Sequence, residues 1–217
     1  MALKAKYRAL VFDVDGVLVA VDSAWRYLHE GLGTWNAAKL HARLFRMGVI
    51  DYITWARLDV RLWRGVTYEV ISQLADLAPV VPGAFEVAKL AKTRGLKLIA
   101  ISAGLDVLAN RVGKLLGFDR VVANSLILKN GVLTGDVQVE VEYWNKGKVL
   151  ADVCRELGIK PGECIAIGDS RVDLPMMEMA GFSIAYNPKD EEVERTAEVV
   201  IKSNTLYPLL EILKTLI

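Results

Sequence analysis

Cysteine is scarce in this 217-residue chain, which has only Cys154 and Cys164. The two lack the spacing of a metal site and have no cluster of histidines beside them, so buried reduced thiols are expected, and with them a cytoplasmic location. Charge of one sign is also lacking. The net charge is +1, so no overall field recruits nucleic acid or a membrane surface, and an anionic substrate must be captured locally. No stretch is apolar over the ~18 residues that a transmembrane helix needs. The amino terminus carries Lys4, Lys6 and Arg8 ahead of an apolar run, a passing likeness to a signal peptide, but Asp13 and Asp15 interrupt that run too early. Repeats, low-complexity tracts, a Walker-type loop and Gly-x-Gly-x-x-Gly are absent. What remains is the composition of a folded soluble protein, long enough for one α/β domain or a medium domain with a small insertion. The oligomeric state is left open.

What is present is organised around Ala9-Leu10-Val11-Phe12-Asp13-Val14-Asp15-Gly16-Val17-Leu18. Its apolar start reads as a strand buried on both faces, as in a parallel sheet. Two acids then follow, and Gly16 lets the chain turn there and bring both carboxylates to the strand's carboxyl end, where open α/β sheets bind ligands. Like charges held this close need a shared cation or a proton. The plain alternative is a strand-end turn that uses Asp for its turn propensity.

From Val19 to about Pro82 the apolar residues recur at helical spacing, and Trp25, Trp35, Trp55 and Trp63 fall here. Four short helices are expected over 22–31, 34–47, 51–63 and 67–77, forming a lid. Pro79 and Pro82-Gly83 mark the return to the main domain. A regular alternation follows: a helix over 84–94, a strand Leu96 to Ile101, a helix from about Leu105 to Leu116 and a strand near Val121-Val122. Asn130-Gly131 signals a hairpin within 126–141. Then come a helix from Lys146 to Leu157, a strand Cys164 to Ile167 that ends in Gly168-Asp169-Ser170-Arg171-Val172-Asp173, and a helix from Leu174. A strand Ser183 to Tyr186, a helix from about Glu191, a strand Glu198 to Ile201 and a helix Leu206 to Leu216 close the chain. The expected fold is a doubly wound, mostly parallel α/β sheet, with a core of residues 1–18 and 83–217 and a helical cap of 19–82.

Four polar clusters fall where such a sheet has its crevice: Asp13 with Asp15, Ser102, Lys146 or Lys148, and Asp169 with Asp173. Asp13 and Asp169 offer hard oxygens of the kind Mg²⁺ prefers. Ser102 precedes Ala103-Gly104 and an expected helix start, an arrangement suited to an anion. Together these groups describe stabilisation of a phosphoryl group in transfer, with an Asp available as nucleophile.

In their order, Asp13-Val14-Asp15-Gly16-Val17-Leu18, Ser102, Lys146 and Gly168-Asp169 with Asp173 resemble the four motifs of the haloacid dehalogenase superfamily, phosphatase branch, and most of all its phosphoserine phosphatases. The resemblance implies that Asp13 attacks phosphorus and that Asp15 serves as acid and then as base. It implies Mg²⁺ held by Asp13, the Asp15 carbonyl and Asp169, with Asp173 as support or further ligand. Ser102 and the N–H groups near Ala103 and Gly104 would bind phosphate, and Lys146 would neutralise charge, with Lys148 as fallback.

The same resemblance exposes departures. Ser170 and Val172 stand where that family has Gly and Asn, and Asp22 stands where it has Glu. The family's substrate-binding cap Arg aligns with Asp59, so Arg57 or Arg61 (or Arg64) would have to supply the charge. The four Trp are expected mainly in the core of the lid, His29 and His41 are expected to pack or face solvent, and Lys189-Asp190-Glu191-Glu192 reads as a charged helix start. The function expected is Mg²⁺-dependent hydrolysis of a small phosphomonoester. The alternatives are a phosphotransferase or phosphomutase on the same aspartyl phosphate, and a non-catalytic binding protein.

Overall fold

Four consecutive residues without solvent exposure, Ala9–Phe12, form strand β1, and their sequence explains their place: with no polar side chain to satisfy, the strand sits at the centre of the sheet. The structure, a computed structural model, describes residues 7–217; Lys4 and Lys6 of the basic amino terminus lie outside the described residues. Among the described residues the sheet has seven strands: β1, β2 (Lys97–Leu105), β3 (Arg120–Lys129), β4 (Val132–Gln138), β5 (Cys164–Gly168), β6 (Phe182–Tyr186) and β7 (Val199–Ile201). Their order is β4-β3-β2-β1-β5-β6-β7. All neighbours pair parallel except β3 and β4, the hairpin announced by Asn130-Gly131. β1 pairs with β2 and β5, and Asp13 N donates to Ile167 O, so the carboxyl ends of these strands form one edge where the polar clusters meet.

Helices α1 (Ala24–Gly31), α2 (Trp35–Arg46), α3 (Tyr52–Arg61) and α4 (Tyr68–Leu77) follow β1. Capping residues of the expected kinds start them, most clearly Asp51, whose side chain accepts from Thr54 N at 2.7 Å. The remaining helices are α5 (Ala84–Thr93), α6 (Asp106–Leu116), α7 (Lys146–Leu157), α8 (Leu174–Met179), α9 (Glu191–Thr196) and α10 (Tyr207–Leu216). One apolar cluster runs from Leu10 and Phe12 of the sheet into Leu28, Tyr52 and Trp63 of the first four helices, while a second lies under α7 and α8.

Two local expectations are corrected. The short strand near Val121-Val122 and the first hairpin arm are a single strand, β3, which pairs with β2 along its first half and with β4 along its second. The strand expected to end at Ile101 runs on through Ser102 to Leu105, directly into the helix that begins at Asp106 as expected.

Within the first four helices the two histidines pack, and they share a partner. His29 is fully buried. Its Nδ1 meets Thr34 Oγ1 at 2.7 Å and accepts from Trp63 Nε1 at 3.1 Å, while its Nε2 lies 3.1 Å from Asp59 Oδ2 without the alignment of a hydrogen bond. His41 Nδ1 meets the other Asp59 oxygen at 2.7 Å. Asp59, which falls where the family's substrate-binding Arg aligns, is therefore a buried anchor between two histidines, hydrogen-bonded through one oxygen to His41 and close to His29 through the other. Cys154 and Cys164 are buried and free, their sulfurs 3.5 Å apart. Among the described residues no helix is long and apolar enough to cross a membrane.

Candidate active site

The carboxyl edge of β1, β2 and β5 opens into a cavity of about 270 Å³ whose floor carries Asp13, Asp15, Ser102 and Asp169. Lys146, the first residue of α7, is buried and bridges two acids: its Nζ lies 2.7 Å from Asp13 Oδ1 and 2.6 Å from Asp173 Oδ1. Lys148 is exposed on the far side of that helix, as its spacing of two residues requires. Burial lowers the tendency of the Lys146 ammonium to stay charged, but the two carboxylates outweigh it and hold its pKa above the usual lysine value.

Asp173 uses both oxygens. Beyond Lys146, its Oδ2 accepts from Asp169 N at 2.9 Å, Ser170 N at 3.0 Å and Ser170 Oγ at 3.2 Å, so it shapes the turn that presents Asp169. Of the two roles open to it, support fits this geometry. Ser170 bears that bond in the position where Gly was expected.

Asp15 Oδ2 accepts from Ala24 N, the first residue of α1, at 2.7 Å, so the helical segment itself positions this acid. Its Oδ1 is buried without a hydrogen-bond partner among the described residues. Burial raises its pKa, which favours the protonated form that a proton donor needs. Ser102 Oγ accepts from Gly104 N at 2.9 Å, which leaves its own proton to offer. A Cβ on Gly104 would lie 2.7 Å from Asp15 Oδ2 and 3.0 Å from Ser102 Oγ, so only glycine lets these groups approach. With α6 beginning at Asp106, it is the end of β2 rather than a helix dipole that offers the anion site.

Oxygens of Asp13, Asp169 and Asp173, all buried, lie within 4.8 Å of one another. Burial and then the Asp173 charge raise Asp13 well above the carboxylate range, and the same causes push Asp169 up to about 6. That excess of negative charge is what a divalent cation would neutralise. With Lys146 on Asp13 Oδ1 and Lys189 on Asp169 Oδ2, one oxygen of each remains to ligate it. Gly16, at φ +84°, is part of the fit: a Cβ there would lie 2.2 Å from Asp169 Oδ2. A hard cation such as Mg²⁺ thus suits the donor set.

Lys189 is a site residue that the sequence reading placed elsewhere. Its Nζ lies 2.8 Å from Asp169 Oδ2 and 3.2 Å from the Asp22 carbonyl, because the chain leaving β6 turns back over the β5 end before α9. The signal available was its place after a strand end, the same logic that marked the other four clusters. Asn124 was missed too. It is fully buried in β3, donating to Ala103 O at 3.0 Å, Tyr52 Oη at 2.9 Å and Val141 O at 2.9 Å, and a lone amide in Val121-Val122-Ala123-Asn124 was its signal.

The upper wall corrects the remaining expectations. Asp22 and Val172 line the cavity as expected, but Arg57 and Arg61 do not. They fall four residues apart on the exposed face of α3, whose opposite face supplies Tyr52, Trp55, Ala56 and Asp59. The arginine that does line the cavity is Arg46, the last residue of α2. Of the four Trp, Trp63 is core, while Trp25 and Trp55 line the cavity.

The family profile of the haloacid dehalogenase-like hydrolases matches residues 10–178. This chain belongs to that family. Phosphoserine phosphatase of Albidiferax ferrireducens is 33% identical over 95% of this chain and 89% of its own length. That of Methanocaldococcus jannaschii is 30% identical over 98% of this chain and 100% of its own. Among solved structures, a substrate-bound phosphoserine phosphatase complex matches with a TM-score of 0.83 at 28% identity, over 96% of this chain and 99% of that one. A phospho-aspartyl intermediate analogue of phosphoserine phosphatase matches with 0.81 at 28% identity, over 95% and 98%. The chain is an enzyme of the phosphoric monoester hydrolase kind and resembles phosphoserine phosphatases throughout its length.

Proposed function

We propose that this protein is a Mg²⁺-dependent phosphatase that hydrolyses a small phosphomonoester through a phosphorylated Asp13. One observation carries the reading: burial raises both acids of a single turn, but Asp13 has an ammonium in direct contact, Lys146 at 2.7 Å, whereas Asp15 is held by Ala24 N with its other oxygen unpartnered. The Lys146 contact opposes the rise on Asp13 and so works toward the carboxylate that attacks, a task a bound cation would share, while Asp15, with no cation in contact among the described residues, is left as the carboxyl that can give up a proton. A relative's structure named for a phospho-aspartyl intermediate analogue supports the same assignment.

In the first step an Asp13 oxygen forms a bond to phosphorus while the ester P–O bond breaks, and the departing alkoxide takes the proton from Asp15. In the second, Asp15, now a carboxylate, takes a proton from water as that water attacks phosphorus. The Asp13 carboxylate is regenerated and inorganic phosphate leaves. Ser102 donates to the phosphoryl oxygens, and Lys146 holds Asp13 in line while offsetting the charge that accumulates. Asp13, Asp169 and the Asp15 carbonyl would hold Mg²⁺, whose charge, when bound, screens the transferring phosphoryl group. Helices α1 to α4, within residues 19–82, act as a cap over a core of the remaining chain, and α1 ties the cap to Asp15. The two buried thiols suit a reducing, cytoplasmic setting.

The test is a panel of phosphorylated metabolites assayed with Mg²⁺, with Asp13→Asn beside the parent protein. Turnover that falls to below about one per cent in the variant is expected, since loss of a covalent nucleophile costs orders of magnitude. Equal turnover in the variant, or none in either protein, would contradict the proposal.

A further inference from the structure

Much of the cavity wall is built of rings. Phe45 stacks on Trp55 with centroids 5.5 Å apart at 21°, Tyr143 meets Phe45 edge-on at 5.7 Å, and Trp25 lies 4.8 Å from Trp55. Trp25 Nε1 and Tyr52 Oη both donate to Ala103 O, so what these two can offer a ligand is ring surface. Trp55 Nε1 is buried and without a hydrogen-bond partner among the described residues, a donor still to be satisfied. A seryl leaving group presents an ammonium and a carboxylate, and each needs a desolvated partner to be chosen over competitors. Apart from the floor acids and Lys189, which is paired with Asp169, the charged groups of the lining are Asp22 and Arg46, and both are exposed. A planar apolar leaving group matches this wall better, since it gains ring contact without stripping water from two charges.

Building on the phosphatase reading, we propose that Phe45, Trp55 and Tyr143 determine specificity, and that the preferred substrate is a phosphomonoester with an aromatic leaving group rather than an amino acid. Arg46 at the rim is placed to meet an anionic substituent on the ring.

The comparison is benzyl phosphate against phosphoserine, because both release an alkyl alcohol and differences in leaving-group acidity stay small. With Mg²⁺, kcat/KM for benzyl phosphate is expected to exceed that for phosphoserine by tenfold or more. Trp55→Ala and the milder Phe45→Leu should lower the benzyl value by a larger factor than the phosphoserine value, so that the ratio of the two falls; a ratio that stays the same or rises would count against the wall as the source of the preference. In parallel, calorimetry with the parent protein compares benzylphosphonate with the phosphonate analogue of phosphoserine, neither of which turns over. Tighter binding of benzylphosphonate supports the aromatic site even if no ester is hydrolysed, a result that would sink the phosphatase reading alone. Phosphoserine equal or better in turnover, or its phosphonate bound more tightly, overturns the aromatic site and leaves the phosphatase reading standing.

Discussion

Replacing Lys146 with Ala tests the electrostatic design of the site. The ammonium is 1% exposed and lies 2.7 Å from Asp13 and 2.6 Å from Asp173, themselves 8% and 0% exposed, so its loss leaves two buried carboxylates without their shared counter-charge. Breaking a buried pair by removing one partner costs roughly 3–5 kcal/mol. For a chain of this size that corresponds to a Tm lower by roughly 6–20 °C. The sign of the pH dependence follows from Asp13. Its pKa is already raised by burial and by Asp173, with Lys146 opposing the rise, so without the lysine it climbs further. A carboxyl whose folded pKa exceeds its unfolded value of about 3.9 stabilises the fold when protonated, and that contribution is lost as pH rises through the folded pKa. The deficit of the variant should therefore be larger at about pH 8 than at about pH 5. Denaturant unfolding of both proteins in chelator at the two pH values measures it. A loss below about 1 kcal/mol, or a deficit that shrinks as pH rises, would refute the reasoning.

Gly16→Ala should damage the metal site more than the fold. The left-handed φ of +84° costs a non-glycine residue roughly 1–2 kcal/mol. The new Cβ, 2.2 Å from Asp169 Oδ2, must displace that carboxylate, so Mg²⁺ affinity by calorimetry should fall roughly 10–100-fold. For the metal itself, a chelator should stop activity, and Mg²⁺ but not Ca²⁺ should restore it, because Ca²⁺ takes a larger and looser shell. Equal rates with Ca²⁺ would contradict a tight octahedral site built on Asp13 and Asp169.

The parallel core was legible because its strands declare themselves twice, by apolar runs such as Cys164-Ile165-Ala166-Ile167 and by the acids that end them. The helices of the first segment were legible from their spacing to within about two residues, as boundary reading allows. Asp13, Asp15, Ser102, Lys146, Asp169 and Asp173 could be gathered from motif order, and the structure brings all six to one cavity or its immediate support. What sequence could not supply was facing. Arg57 and Arg61 stand near the aligned position in the chain, yet helical phase turns them to solvent and leaves the rim to Arg46. His29 and His41 find their partner in Asp59 only across a folded helix pair, and Lys189 reaches Asp169 only because strand order sets β6 beside β5.

The central claim is that the phosphoryl group passes through Asp13. Mixing enzyme, Mg²⁺ and a substrate that turns over, quenching in acid within one turnover and sequencing the labelled peptide by mass spectrometry locates that group. The account predicts one phosphoryl increment on Asp13, lost in Asp13→Asn. A phosphoryl group on Ser102 or any other residue, or a burst of released alcohol with no protein-bound phosphate, would contradict it.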